Sequence, residues 1–158
     1  MKVSVHSVEQ TQALAEIVGK QLQAGDVLIL HGDLGAGKTT FTQGLARGLG
    51  VREGIISPTF VIARRHPSLS NGAHLVHVDA YRLNSVDELY DLDIESELED
   101  SVVVAEWGKG FVEELAEDYF TITLDRSSTD GEDDRIITIE GPSVTVSKIN
   151  AAYLSSKQ

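Results

Sequence analysis

Residues 32–39, GDLGAGKT, set one lysine and one hydroxyl among glycines in the spacing G-x-x-x-x-G-K-[ST]. That pattern suits the phosphates of a nucleotide. Gly32, Gly35 and Gly37 let the backbone turn tightly and aim successive N–H groups at one anion. Lys38 can reach the β and γ phosphates as a point charge, and the Thr39 hydroxyl can serve Mg²⁺. Asp33, Leu34 and Ala36 complete the loop, and Thr40 offers a further hydroxyl toward an α phosphate. The plain alternative is a flexible glycine loop with a stray lysine. The flanking residues weigh against it, because an apolar run precedes the loop and a helical pattern follows.

A cradle of this kind works with an acid at the end of a neighbouring strand. Two acids qualify. Asp79 ends the run Leu75-Val76-His77-Val78, and Glu106 ends Val102-Val103-Val104-Ala105. Each would be buried if the chain did not surface there. Glu106 is the expected metal carboxylate, through water. Asp79 is expected to support the metal or to orient the attacking water. Lys38, Asp79 and Glu106 are thus the catalytic candidates, and Thr39, Asp79 and Glu106 the metal candidates. Ser57-Pro58-Thr59-Phe60 is a candidate switch in which Thr59 meets the γ phosphate or the metal. An ordinary loop-to-strand junction fits the same four residues equally well. His74 and His77 are three apart on a strand and so face opposite ways, which makes a poor metal pair. Trp107, the only tryptophan, reads by default as core or rim packing.

The elements that must position these residues follow from periodicity. Residues 7–23 read as a helix, capped by Ser7 with Gln10 three residues on, and striped by Leu14, Ile17, Val18 and Leu22. Val27–Leu30 is a continuous apolar run, as in a strand buried on both faces. Residues 38–49 return to helix, ended by Gly50. Thr59–Arg65 and His74–Asp79 read as an antiparallel hairpin joined by turn formers. Residues 85–92 and 94–100 read as short acidic helices, 101–106 as a second buried strand, and 111–117 as a helical turn or two. Tyr119–Asp125 and Arg135–Glu140 alternate as paired strands, and 148–158 reads as a short helix and tail. Buried parallel-type strands together with hairpins predict a three-layer α/β fold of the P-loop NTPase kind, with a mixed parallel/antiparallel central sheet.

Length and composition suit a single domain over residues 1–158, with 41% apolar and 24% charged residues. Apolar runs fall far short of the ~20 residues that span a bilayer. The opening MKVSVHSVEQ lacks the apolar segment of a secretory signal. Cysteine is absent, which removes disulfides and thiolate metal sites and fits a cytoplasmic protein. The net charge of −12 disfavours a direct grip on a phosphate backbone. The acids concentrate in residues 87–100, DELYDLDIESELED, which carry no base. A solvated helical face is the simpler reading of that stretch, and a partner surface is the other.

The motifs GDLGAGKTTFTQGLARGLG, SPTF, HVDAYRL with ELYDLDIESEL nearby, and VVVAEWGKG resemble, in order and spacing, the bacterial TsaE (YjeE) family. The resemblance covers roughly residues 7–140. It implies an ATPase, using ATP and Mg²⁺, that serves the making of threonylcarbamoyladenosine in tRNA. It implies that residues 32–40 form the Walker A phosphate loop, that Glu106 is the Walker-B-type acid with Asp79 as the second acid, and that 57–60 form a switch-like loop. It also implies that Thr11 lies near the nucleotide base and Trp107 at the rim of the site. The implied partners are TsaD and TsaB. TsaD transfers a threonylcarbamoyl group from threonylcarbamoyl-adenylate to adenosine 37 of tRNAs that read codons starting with A, and TsaB is its dimer partner. The chain itself would be a monomer when alone and would meet tRNA only through that complex.

Two other nucleotide chemistries share the loop. A small kinase would also want a basic lid and an acceptor pocket, and no basic cluster of that kind stands out. A GTPase would carry [NT]-K-x-D for guanine, and none of the lysines sits in that pattern. A nucleotide-gated binding module with negligible hydrolysis is the non-enzymatic alternative.

Overall fold

The computed structural model describes residues 1–33, 35–52, 54, 63–80, 83–107, 110, 112–126 and 131–158. In chain order these form β1 (Lys2–Val5), α1 (Val8–Gln21), β2 (Val27–His31), α2 (Lys38–Leu49), β3 (Ala63–His66), β4 (His74–Asp79), α3 (Val86–Asp91) and α4 (Ile94–Glu97). There follow β5 (Ser101–Glu106), a 3-10 turn (Val112–Leu115), β6 (Phe120–Arg126), β7 (Arg135–Glu140) and α5 (Ser143–Ser156).

Among the described residues the strands make one sheet in the order β1-β7-β6-β2-β5-β4-β3. Its centre, β6-β2-β5-β4, is parallel. Both flanks are antiparallel, with β3 on β4, β7 on β6 and β1 on β7. This is the mixed α/β sheet that the alternation of buried runs and hairpins predicts.

Side-chain alternation divides the core. Leu28 and Leu30 of β2 join Val102, Val104, Leu75, Ile122 and Leu124 beneath Leu14 and Val18 of α1 and Phe41 and Leu45 of α2. Val27 and Ile29 face the other way, with Val76, Val78, Val103 and Ala105 against Ile94 and Val112. Helices therefore cover the central strands on both sides, and each fully buried Leu or Ile contributes about 2 kcal/mol. No described helix is long and apolar enough to cross a membrane.

A side-chain cap accounts for the start of α1. Ser7 Oγ accepts from the Gln10 N–H at 3.1 Å. The reciprocal bond of the capping box lands one residue early, with the His6 N–H donating to Gln10 Oε1 at 2.8 Å. α2 ends at Gly50, whose N–H returns to the carbonyls of Ala46 and Arg47.

The boundaries differ from expectation in several places. β1 is a strand that the sequence reading omits. The second acidic helix stops at Glu97, and the turn after β5 is a single 3-10 turn. The C-terminal helix starts at Ser143, five positions before the expected 148, with Pro142 at its N-cap. Of the predicted strand Thr59–Arg65, residues 59–62 lie outside the described residues, and the described part belongs to β3, extending to His66.

Candidate functional site

β2 delivers the glycine loop at the carboxyl edge of the parallel sheet. Its neighbours end at the same level, because Leu30 registers with Glu106 on β5 and Asp79 on β4 also registers with Glu106. Crevices at this edge are where open α/β sheets place ligands. The two carboxylates therefore stand side by side at the edge from which the loop springs.

The loop is tightly seated. A side chain at Gly32 would come within 2.9 Å of the Leu124 carbonyl oxygen and 3.0 Å of Ala36 Cβ, so only glycine fits there. Gly37 is the N-cap of α2 with φ 106°, a backbone that L side chains rarely adopt. It makes no side-chain cap, which leaves the first turn of a 12-residue helix presenting its N-terminal dipole to the loop. The Ala36 N–H donates to the Asp33 carbonyl at 2.9 Å.

Lys38 opens that helix and is only 7% exposed. Its Nζ donates to the carbonyl oxygens of Gly32 at 2.6 Å and Asp33 at 3.1 Å. It also lies 4.3 Å from the centroid of the Trp107 ring. Burial pushes the Lys38 ammonium below the ordinary lysine range, against the opposing pull of the Glu106, Asp33 and Asp79 carboxylates.

Glu106 is buried at 6% exposure, and its Oε1 has no hydrogen-bond partner among the described residues. The nearest described base is His77 on β4, with Nε2 at 3.7 Å, beyond hydrogen-bond reach. An orphan carboxylate oxygen in register with a second carboxylate is a donor set suited to Mg²⁺. That hard cation takes oxygen ligands and keeps several of its waters. No described group of three or more His, Asp or Glu side chains could hold a metal by itself.

The other candidates divide. Thr39 and Thr40 lie half-buried in the first turn of α2. Gly35 sits at the exposed tip of the loop. Trp107 holds a left-handed backbone, φ 61°, directly after Glu106, and is 38% exposed at the rim. A cleft of about 230 Å³ runs beside the loop, lined by His31, Gly32, Asp33, Trp107, Leu124 and Arg126. Thr11 is buried in the first turn of α1 with its N–H on the Ser7 carbonyl, and no described hydrogen bond joins it to the loop. Leu34 and the segment Ser57, Pro58, Thr59 and Phe60 lie outside the described residues.

Three basic residues at or near the site do not emerge from the sequence reading. His77 is fully buried beside Glu106, although the two-histidine test discards it. Arg126 and Arg135 donate to the loop's own carbonyls. For His77 a usable signal exists, since it lies two residues before Asp79 and so on the same face of the strand. For the arginines none exists, because their contact joins segments far apart in the chain.

The comparisons with known proteins agree with one another. The family described as "Threonylcarbamoyl adenosine biosynthesis protein TsaE" matches residues 5–137. The chain is 55% identical over 130 residues to the tRNA threonylcarbamoyladenosine biosynthesis protein TsaE of Streptomyces coelicolor, covering 81% of this chain and 88% of that one. It is 47% identical over 138 residues to the protein of the same name from Mycobacterium tuberculosis, covering 83% and 81%. The crystal structure of Bacillus subtilis YdiB superposes with a TM-score of 0.73 at 30% identity, covering 99% of this chain and 95% of that one. With its glycine loop, paired strand-end acids and sheet order in place, this chain belongs to the TsaE family of threonylcarbamoyl adenosine biosynthesis proteins.

Proposed function

We propose that the protein is a P-loop ATPase that binds and hydrolyses ATP with Mg²⁺. Its turnover supports a TsaD–TsaB complex in forming threonylcarbamoyladenosine at adenosine 37 of tRNAs that read codons starting with A. One observation carries the ATPase reading: the parallel register sets Asp79 beside Glu106 and Glu106 beside Leu30, so two carboxylates and Lys38 converge where the glycine loop begins.

In this reading Lys38 exchanges the Gly32 and Asp33 carbonyls for phosphate oxygens, keeping its charge where negative charge gathers in the transition state. The Thr39 hydroxyl, Glu106 and Asp79 would hold Mg²⁺, which would supply positive charge against the phosphates. Asp79 is the nearer choice for orienting water, because it is half-exposed whereas Glu106 is buried. The α2 N-terminus receives the phosphates. The partner reading rests on family membership and on charge: an acidic surface suits a basic protein partner better than tRNA itself.

The deciding experiment measures ATP hydrolysis by the protein alone, then with TsaB and TsaD, each with and without tRNA. Wild-type turnover that rises with the partners and disappears in Lys38→Ala is expected. Partner-dependent turnover that survives in Lys38→Ala would place the activity elsewhere.

A further inference from the structure

Arg135 opens β7 directly opposite Arg126 on β6. Its Nε donates to the Ala36 carbonyl at 2.8 Å, and one terminal nitrogen donates to the Gly35 carbonyl at 3.2 Å. The other terminal nitrogen donates to the carbonyls of Glu132 at 2.7 Å and Asp134 at 2.9 Å. Arg126 adds a longer bond to the Gly35 carbonyl at 3.3 Å. One planar guanidinium thus ties the outside of the glycine loop to the turn of the β6–β7 hairpin. Lys38 holds the Gly32 and Asp33 carbonyls of the same loop.

The two fixings have different consequences. A peptide is planar, and its N–H points opposite to its C=O. Fixing the carbonyls of Gly35 and Ala36 therefore fixes two successive peptide planes and the direction of the Ala36 and Gly37 N–H groups. The Ala36 N–H closes the loop's own turn on the Asp33 carbonyl, and the Gly37 N–H, at the N-cap of α2, lies in the stretch that a phosphate would meet. All of the described Arg135 hydrogen bonds go to backbone carbonyls. A lysine at 135, with one nitrogen on a flexible stem, could not hold all four of these carbonyls in the fixed geometry of the planar fork.

We infer that Arg135 is a positioning residue for the phosphate site: it braces the loop from outside in the geometry that receives the nucleotide, with Arg126 as a weaker second brace. This rests on the nucleotide reading given above. It makes the β6–β7 hairpin, remote from Asp79 and Glu106, part of the binding machinery.

The test has two readouts on the whole protein. Titration of wild type, Arg135→Ala, Arg135→Lys and Arg126→Ala with Mg²⁺-ATP gives affinities, and amide hydrogen exchange of the nucleotide-free proteins reports on residues 32–38. Expected are at least about tenfold weaker binding in Arg135→Ala, the scale of one lost charged hydrogen bond, and faster exchange confined to the loop. Arg135→Lys should lie between Ala and wild type, and Arg126→Ala should change less. A role in folding alone would move the thermal midpoint and leave exchange in the loop no faster than elsewhere. Wild-type affinity and wild-type loop exchange in Arg135→Ala overturn the inference. If that variant does not fold, the same two results in Arg135→Lys overturn it. If wild-type protein binds no ATP, the nucleotide reading falls, and loop exchange by itself then decides whether Arg135 is a brace.

Discussion

The Lys38 ammonium stands 4.3 Å from the centre of the Trp107 ring, and Trp107 adopts φ 61° in the position next to Glu106. Such a backbone costs a bulky residue roughly 1–3 kcal/mol. A cation over an indole face returns roughly 0.5–2 kcal/mol. The ring and the loop carbonyls together form the resting place of the charge that the phosphates would claim.

Binding should therefore be visible in the indole. Trp107 is the only tryptophan, so intrinsic fluorescence reports this site alone. Titration with Mg²⁺-ATP is expected to shift or quench the emission as Lys38 leaves the ring. A flat titration at concentrations where calorimetry detects binding would show that Lys38 stays on the indole.

Glu106→Gln preserves shape and removes charge. The expected result is a loss of roughly 10²-fold or more in turnover, the scale for losing one positioned electrostatic group at a developing charge, with nucleotide affinity altered far less. Single-turnover kinetics beside equilibrium binding make the comparison. Equal losses in both would mark Glu106 as a binding residue.

Lys38 gives a pH signature. Burial holds its folded-state ammonium below the ordinary lysine range, while phosphate would restore the proton. In alkaline buffer, ATP binding should take up protons and should weaken at a lower pH than an ordinary lysine would dictate. Calorimetry in two buffers of different ionisation heat measures the uptake. Zero uptake across that range contradicts the assignment.

His66 predicts how stability responds to acid. Burial, then the nearby His77 and Arg64, push its imidazolium below the ordinary histidine range. Between the unfolded value of about 6.5 and the lower folded value, the unfolded chain binds a proton that the native state does not. Stability should therefore fall as pH drops through that window, and His66→Gln should flatten the slope. Urea midpoints at several pH values test this, and parallel slopes for the two proteins would exclude His66 as a contributor.

What could be read from sequence tracks how local each cause is. The loop GDLGAGKT and the runs ending in Asp79 and Glu106 declare themselves within ten residues, and the structure brings them to one edge. The mixed sheet follows from the contrast between the continuous run Val27–Leu30 and the alternating Arg135–Glu140. β1 escapes because its four residues pair with β7 at the far end of the chain. The first turn of α5, Ser-Val-Thr-Val, is rich in β-branched residues that lower helix propensity, so pattern alone starts the helix late. The Arg135–Ala36 bond spans 99 positions, and neither residue type announces it.

That span has a consequence for synthesis. The glycine loop lies in the first third of the chain, yet its outer brace is residue 135, and Ile139 of the same strand exchanges hydrogen bonds with Met1. Contacts of such separation form only when both ends are available. A nascent chain that has exposed residues 32–40 but not β7 carries the phosphate motif without its support. Competence for nucleotide should therefore arrive late on the ribosome, as one of the last events of folding rather than with the motif itself.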